Sequence, residues 1–230
     1  MSDLAATTAV PKPSDRVPIY SINSWWVFSG ICFISLFFTW YLQTQVLTDQ
    51  VYYHSLGARV DSDKLGAFLD MQHRMSTVGY LLVPVILLLK MTLVSFCLLT
   101  GLMLTSQKLP FQTIFKIVLF AESAFAASIL FKMLLLSFTH EVDRLDQYTN
   151  FAPLSLFSLL KASSVPTWLT YPLQTLDVFQ VAYCLLLAAG LSFYSRKTFK
   201  ESFMQVLGSY GAGLLCCMIG FAFLTFSYNL

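Results

Sequence analysis

The sequence predicts an all-α integral membrane protein, a bundle of five transmembrane helices with short interfacial or re-entrant helices in the loops of one side. Three observations predict it. Of 230 residues, 57% are hydrophobic and 11% charged, whereas a soluble domain carries about 25% charged residues. The apolar residues gather into five stretches, each long enough to cross a hydrocarbon core about 30 Å thick, which takes roughly 20 helical residues. The first stretch is also bracketed by Trp25-Trp26 and Trp40-Tyr41, and amphipathic rings settle at membrane interfaces.

The elements follow in order. The first sixteen residues are polar and contain Pro11 and Pro13. No cleavage-type motif follows the first apolar stretch, which is therefore expected to remain as a helix. Residues 1–24 read as a short polar cytoplasmic N-terminus and 25–228 as a single membrane domain. Its spans fall at about 25–43, 78–105, 111–138, 172–195 and 203–228. A tight turn around Ser106–Pro110 makes the second and third spans an antiparallel hairpin, and the polar link Ser195–Ser202 does the same for the fourth and fifth. Between the first two spans, Asp61-Ser62-Asp63 can cap a helix that runs through Leu65, Phe68, Leu69 and Met75 into the second span. Pro153–Lys161 carries Leu154, Phe157, Leu159 and Leu160 but is too short to span, which predicts a re-entrant or interfacial helix. Pro166 and Pro172 are expected to break the chain before the fourth span.

Orientation comes from lysine and arginine. With the N-terminus inside, the cytoplasmic segments hold Lys12, Arg16, Lys108, Arg196, Lys197 and Lys200, and the outside loops hold Arg59, Lys64, Arg74, Arg144 and Lys161. Short links carry most of the positive-inside bias, so the N-terminus is expected in and the C-terminus out.

Four charges lie inside the apolar stretches: Lys90, Glu122, Lys132 and Asp177. A charge at mid-bilayer costs about 3 kcal/mol on insertion scales, so such residues pair or line a cavity. Lys90 and Glu122 fall near the middle of the second and third spans, and a flexible lysine stem can close the offset between them. At a rise of about 1.5 Å per residue, Lys132 and Asp177 come level near the outer ends of the third and fourth spans, which predicts a second pair. Read structurally, these pairs fix helix order. Read functionally, they form a proton or ion path or contact another subunit. Lys116 lies near the inner interface, where it can snorkel.

Small residues mark packing faces. Ser209, Gly213 and Cys217 recur every four residues in the fifth span, with Cys216 and Gly220 beside them, and Ser123–Ala127 and Ala124–Ser128 repeat the spacing in the third. Such faces let helix backbones approach closely. Cys32, Cys97, Cys184, Cys216 and Cys217 all fall in apolar stretches, where thiols act as small hydrophobes and no disulfide framework is expected.

Little points to chemistry. His54, His73 and His140 map to the outer side, where three imidazoles and a carboxylate such as Glu141 could hold zinc, but no short two-ligand spacing is present and no metal site is assigned. No histidine lies in a span to hold haem, and no phosphate-binding glycine loop, nucleophile elbow or HExxH appears. No enzyme activity and no cofactor are expected. The formal charge of +2 does not suggest nucleic acid as a partner.

The stretch from Gln174 to Ser192 resembles the signature of bacterial Yip1-like membrane proteins. There an apolar helix opens with an Asn-x-Phe-acid type motif and closes with a Leu-x-x-Gly-Leu run before a basic link and a last span. Asp177 stands at the Asn position, Phe179 at the Phe, Gln180 at the acid and Gly190 at the glycine, and the basic link is Arg196-Lys197-Thr198-Phe199-Lys200. The likeness covers about residues 170–228. It implies five spans with a cytoplasmic N-terminus, a bacterial inner membrane, and a fold rather than a reaction.

Taken together, the residues lead to a non-enzymatic scaffold or accessory subunit of a larger membrane complex, with the bilayer and other membrane subunits or copies of itself as partners. A small transporter or channel-like module working through the four charges is the alternative. A third is a lipid-handling protein that uses Phe157 and Leu160.

Overall fold

A computed structural model describes residues 23–46, 48, 51, 62–107, 109–138, 148–149, 151–160 and 165–228. The protein is all-helical and membrane-integral. Among the described residues, five helical stretches are long and apolar enough to cross a bilayer: Ser24–Val46, Val78–Leu104, Phe111–Phe138, Val178–Ser195 and Phe199–Ser227. The polar N-terminus, His54, His140 and Lys108 lie outside the described residues.

Helix α1 spans Ser24–Tyr41 and starts where the Asn23 side chain accepts the Trp25 amide at 3.3 Å. A π turn, Leu42–Val46, extends it. Helix α2, Ser62–Leu104, runs 43 residues, about 65 Å at 1.5 Å per residue. That is twice the hydrocarbon thickness, so its first part stands clear of the core. The helix expected to lead into the second span is therefore continuous with it. Pro84 lies within α2, and its ring nitrogen has no proton to give the preceding turn.

The third span is two helices in line, α3 (Phe111–Ala121) and α4 (Ser123–Phe138), meeting at Glu122. The Glu122 carbonyl accepts both the Phe125 amide at 3.0 Å and the Ala126 amide at 3.1 Å, one tightened turn at the junction.

The fourth span begins later than the sequence predicts. A separate helix α5, Thr167–Thr175, follows Pro166, and it contains Pro172 instead of being stopped by it. The chain bends at Leu176, and α6, Val178–Ser195, starts from Asp177. Proline at the sixth position of a nine-residue helix removes only one backbone bond, which a short surface helix tolerates. The fifth span begins earlier than predicted. Thr198 and Glu201 form a reciprocal capping box, so the polar residues up to Ser202 already belong to helix α7, Phe199–Val206. A π turn, Leu207–Gly211, joins it to α8, Ala212–Tyr228. The true link is Arg196–Thr198, with Arg196 in the left-handed region at φ 57°.

Polar side chains within the spans mostly turn back on their own helices. Thr39, Thr92, Ser95, Thr100, Ser209 and Thr225 each donate to the carbonyl four residues earlier at 2.7–2.9 Å. This satisfies hydroxyls without any partner in lipid.

The third span is central. It packs on α1, α2 and α6, while α7 and the following π turn close the bundle against α2 and α6. The core between them holds Met91, Leu98, Ile114, Ile117, Val118, Tyr183, Leu187 and Val206. By alternation, one end of the bundle carries the 42–77 and 139–177 connections, and the other carries the two short links. They are called the loop end and the link end below. Tyr41 to Ser137 (3.3 Å) and Tyr80 to Gln43 (2.7 Å) tie the first span to its neighbours at the loop end, and Gln205 to Thr105 (2.8 Å) ties the fifth to the second at the link end.

The 152–160 segment becomes a 3-10 turn, Leu156–Leu159, in place of a full interfacial helix. It is pinned to the mouth of the fourth span by two backbone bonds, Leu156 to Leu176 (3.0 Å) and Val178 to Leu154 (3.2 Å). Phe157 is buried, whereas Leu159 and Leu160 are exposed.

Candidate functional site

Of the four charges in the apolar stretches, the structure joins two. Lys90 Nζ donates to Glu122 Oε1 at 2.5 Å. Lys90 sits near the middle of the second span, and Glu122 sits at the α3–α4 junction, near the middle of the third. Glu122 is only 1% exposed, while the Lys90 side chain keeps two-fifths of its surface exposed. The ammonium also lies 3.7 Å from the centre of the Phe125 ring and 5.7 Å from that of Tyr183. Contacts of this kind contribute about 0.5–2 kcal/mol each, most where water is excluded.

The second expected pair does not form. Asp177 is the N-cap of α6, and its Oδ1 accepts the Gln180 amide at 2.6 Å. Among the described residues no ion pair joins it to Lys132. A depth counted from position 172 assumes a helix that is continuous across Leu176. With the span starting at Val178, Asp177 stands at its very mouth, where a carboxylate satisfies a free amide and faces the positive end of the helix dipole.

Around the Lys90–Glu122 pair lies a polar cluster that the charge pattern does not reveal. Tyr183 is completely buried, with its ring 4.7 Å from Phe125 and 5.3 Å from Tyr210. Its hydroxyl is a close neighbour of the Glu122 carboxylate but falls short of hydrogen-bond geometry. Glu122 Oε2 and the Tyr183 hydroxyl are thus both buried without a partner. Tyr210 sits in the π turn of the fifth span, and its hydroxyl accepts from Gln180 Nε2 at 2.8 Å. The signal for this cluster was present in the sequence. Tyrosine favours membrane interfaces, yet Tyr183 and Tyr210 stand well inside spans, which calls for polar neighbours.

Gln180 is 5% exposed and also lines a cleft of about 420 Å³ at the loop end. The other walls are Leu154, Leu156, Leu159, Leu176, Val178 and Val181, with Ser155, Ser158 and Asp177 among them. Gln180 thus joins the cleft to Tyr210, whose ring packs on that of Tyr183, the neighbour of Glu122.

The small-residue faces divide. A Cβ on Gly101 would collide with the Cβ of Ser209, and one on Gly213 would meet Cys97 Sγ at 3.3 Å. Ser209 and Gly213 therefore pack the fifth span against the second. Cys216, Cys217 and Gly220 remain exposed, with nothing near Gly220. In the third span Ala124 and Ser128 are buried, whereas Ser123 and Ala127 face outward. No group of histidine, cysteine and acidic residues among the described residues could hold a metal. Comparisons with family models, curated proteins and solved structures find no match.

Proposed function

We propose that this chain is a non-enzymatic integral membrane scaffold or accessory subunit, which presents the Lys90 face of its second span to another membrane protein. The supporting observation is the position of Lys90. Its ammonium is held by Glu122, but the side chain is 40% exposed halfway along a span. Acyl chains are a poor cover for a charged side chain at that depth. A neighbouring protein surface can complete its environment. On the same helical face, Ile86 and Leu93 are exposed above and below it, four residues before and three after. A photoreactive residue at Ile86 or Leu93 is expected to crosslink to one protein partner at fixed stoichiometry in native membranes. Crosslinks to lipid alone would overturn the reading. The likeness to Yip1-like proteins, a bacterial inner membrane and a cytoplasmic N-terminus belong to the same proposal.

A second reading, a small proton or ion transport module, has its own support. Glu122 Oε2 and the Tyr183 hydroxyl are deeply buried and unpartnered. Asp177 is occupied as a helix cap, so this reading rests on Glu122. Flux through liposomes that Glu122→Gln abolishes would support it, and unchanged flux would remove it.

A further inference from the structure

An unpaired polar group in a protein interior costs about 1–3 kcal/mol, and more for a charged one. Two such groups side by side point to something that satisfies both. Glu122 Oε2 can only accept while the carboxylate is ionised, whereas the Tyr183 hydroxyl can donate or accept. A proton placed on Oε2 turns it into a donor toward the tyrosine oxygen. A water between them would serve each in turn.

The surroundings allow that proton to come and go. Tyr210 accepts from Gln180, so its own hydroxyl hydrogen is left to donate, and the Tyr210 and Tyr183 ring centres lie 5.3 Å apart. Gln180 in turn lines the loop-end cleft. Lys90 has somewhere to remain when its counter-charge is neutralised, because the Phe125 face lies 3.7 Å from its nitrogen. The titratable groups about the carboxyl are Lys90 from α2, Tyr183 from α6 and Tyr210 from the fifth span, with Cys184 beside the two tyrosines and Cys97 beside Tyr210. Helix α1 packs onto this core with apolar Val27, Phe28, Ile31 and Ile34. On its own span, Lys116 and Lys132 stand about 9 and 15 Å away along the axis.

We propose that the Glu122 carboxyl is a proton-binding site, reached from the loop end of the bundle past Gln180, which orients the Tyr210 hydroxyl, by way of Tyr210 and Tyr183. On uptake a solvent proton adds to Oε2 and the carboxylate becomes neutral. Lys90 keeps its three hydrogens and its hydrogen bond to Oε1 but loses the ionic attraction. Release reverses the step. This deepens the transport reading and rests on it for its purpose, although proton binding can be detected without transport.

The test uses the full chain in phospholipid liposomes, with infrared difference spectra recorded as the medium is acidified and, in parallel, a trapped pH dye to report flux. A protonated-carboxyl band is expected to appear on acidification, to vanish in Glu122→Gln and to shift in Glu122→Asp. Its appearance after a pH jump is expected to slow several-fold in Tyr183→Phe and in Tyr210→Phe. The band without flux would uphold the site and remove the transport reading. No acid-induced band, or one that survives Glu122→Gln in a folded protein, would overturn the proposal. Glu122→Asp covers the case in which Glu122→Gln does not fold, because a band unmoved by that change is not from this residue.

Discussion

Removing one charge of the Lys90–Glu122 pair is expected to cost more than removing both. Lys90→Met leaves a carboxylate with 1% exposure and no cation, and breaking buried pairs in this way costs up to about 3–5 kcal/mol. Lys90→Met combined with Glu122→Gln is expected to recover most of that, as read by thermal unfolding in detergent. Equal losses in the single and double variants would show that the pair does not organise the core. Asp177 behaves differently because its carboxylate caps a helix. Asp177→Ala is expected to lose about 1 kcal/mol, while Asp177→Asn stays close to the parent. Lys132→Met is expected to be near neutral. A large loss in both Asp177→Asn and Lys132→Met would restore the ion pair that the sequence suggested.

At the scale of elements, the contact of the second and fifth spans depends on Gly101. The fifth span's π turn brings Ser209 against it so closely that any Cβ there would clash. Gly101→Val is therefore expected to separate the two spans and lower the unfolding temperature by several degrees. Gly220→Ala, where nothing lies within 4 Å, is expected to leave it unchanged. These helices were readable from the sequence because twenty-residue apolar runs have few alternatives in a bilayer. Their ends were less so. The apolar character from Pro172 onward hid the bend at Leu176, and the polar run up to Ser202 hid a capped helix start at Thr198. The Lys90–Glu122 pair was legible because both residues lie at mid-span in adjacent helices. The Lys132–Asp177 pair failed because its depth count crossed a helix boundary. Tyr183 and Tyr210 carry a weaker signal, because an aromatic inside an apolar run reads as apolar surface unless its hydroxyl's need for a polar neighbour is weighed.

Across the whole molecule, the interior is closed around one charge pair while much of the second and fifth spans faces outward. Leu81, Leu89, Leu93, Leu215, Ile219 and Phe223 are all exposed, as suits lipid. Lys90, part-exposed halfway along the second span, suits it less well, and there we propose an interacting surface. If a partner helix covers that face, Ile86→Ala with Leu93→Ala is expected to weaken the complex while leaving the bundle's thermal stability intact. Native purification in a gentle detergent, followed by mass spectrometry of what stays bound, decides whether a protein partner covers the Lys90 face. One membrane protein is expected at fixed stoichiometry, lost when Ile86 and Leu93 are both replaced by alanine. Recovery of a fully folded monomer carrying only lipid would contradict it.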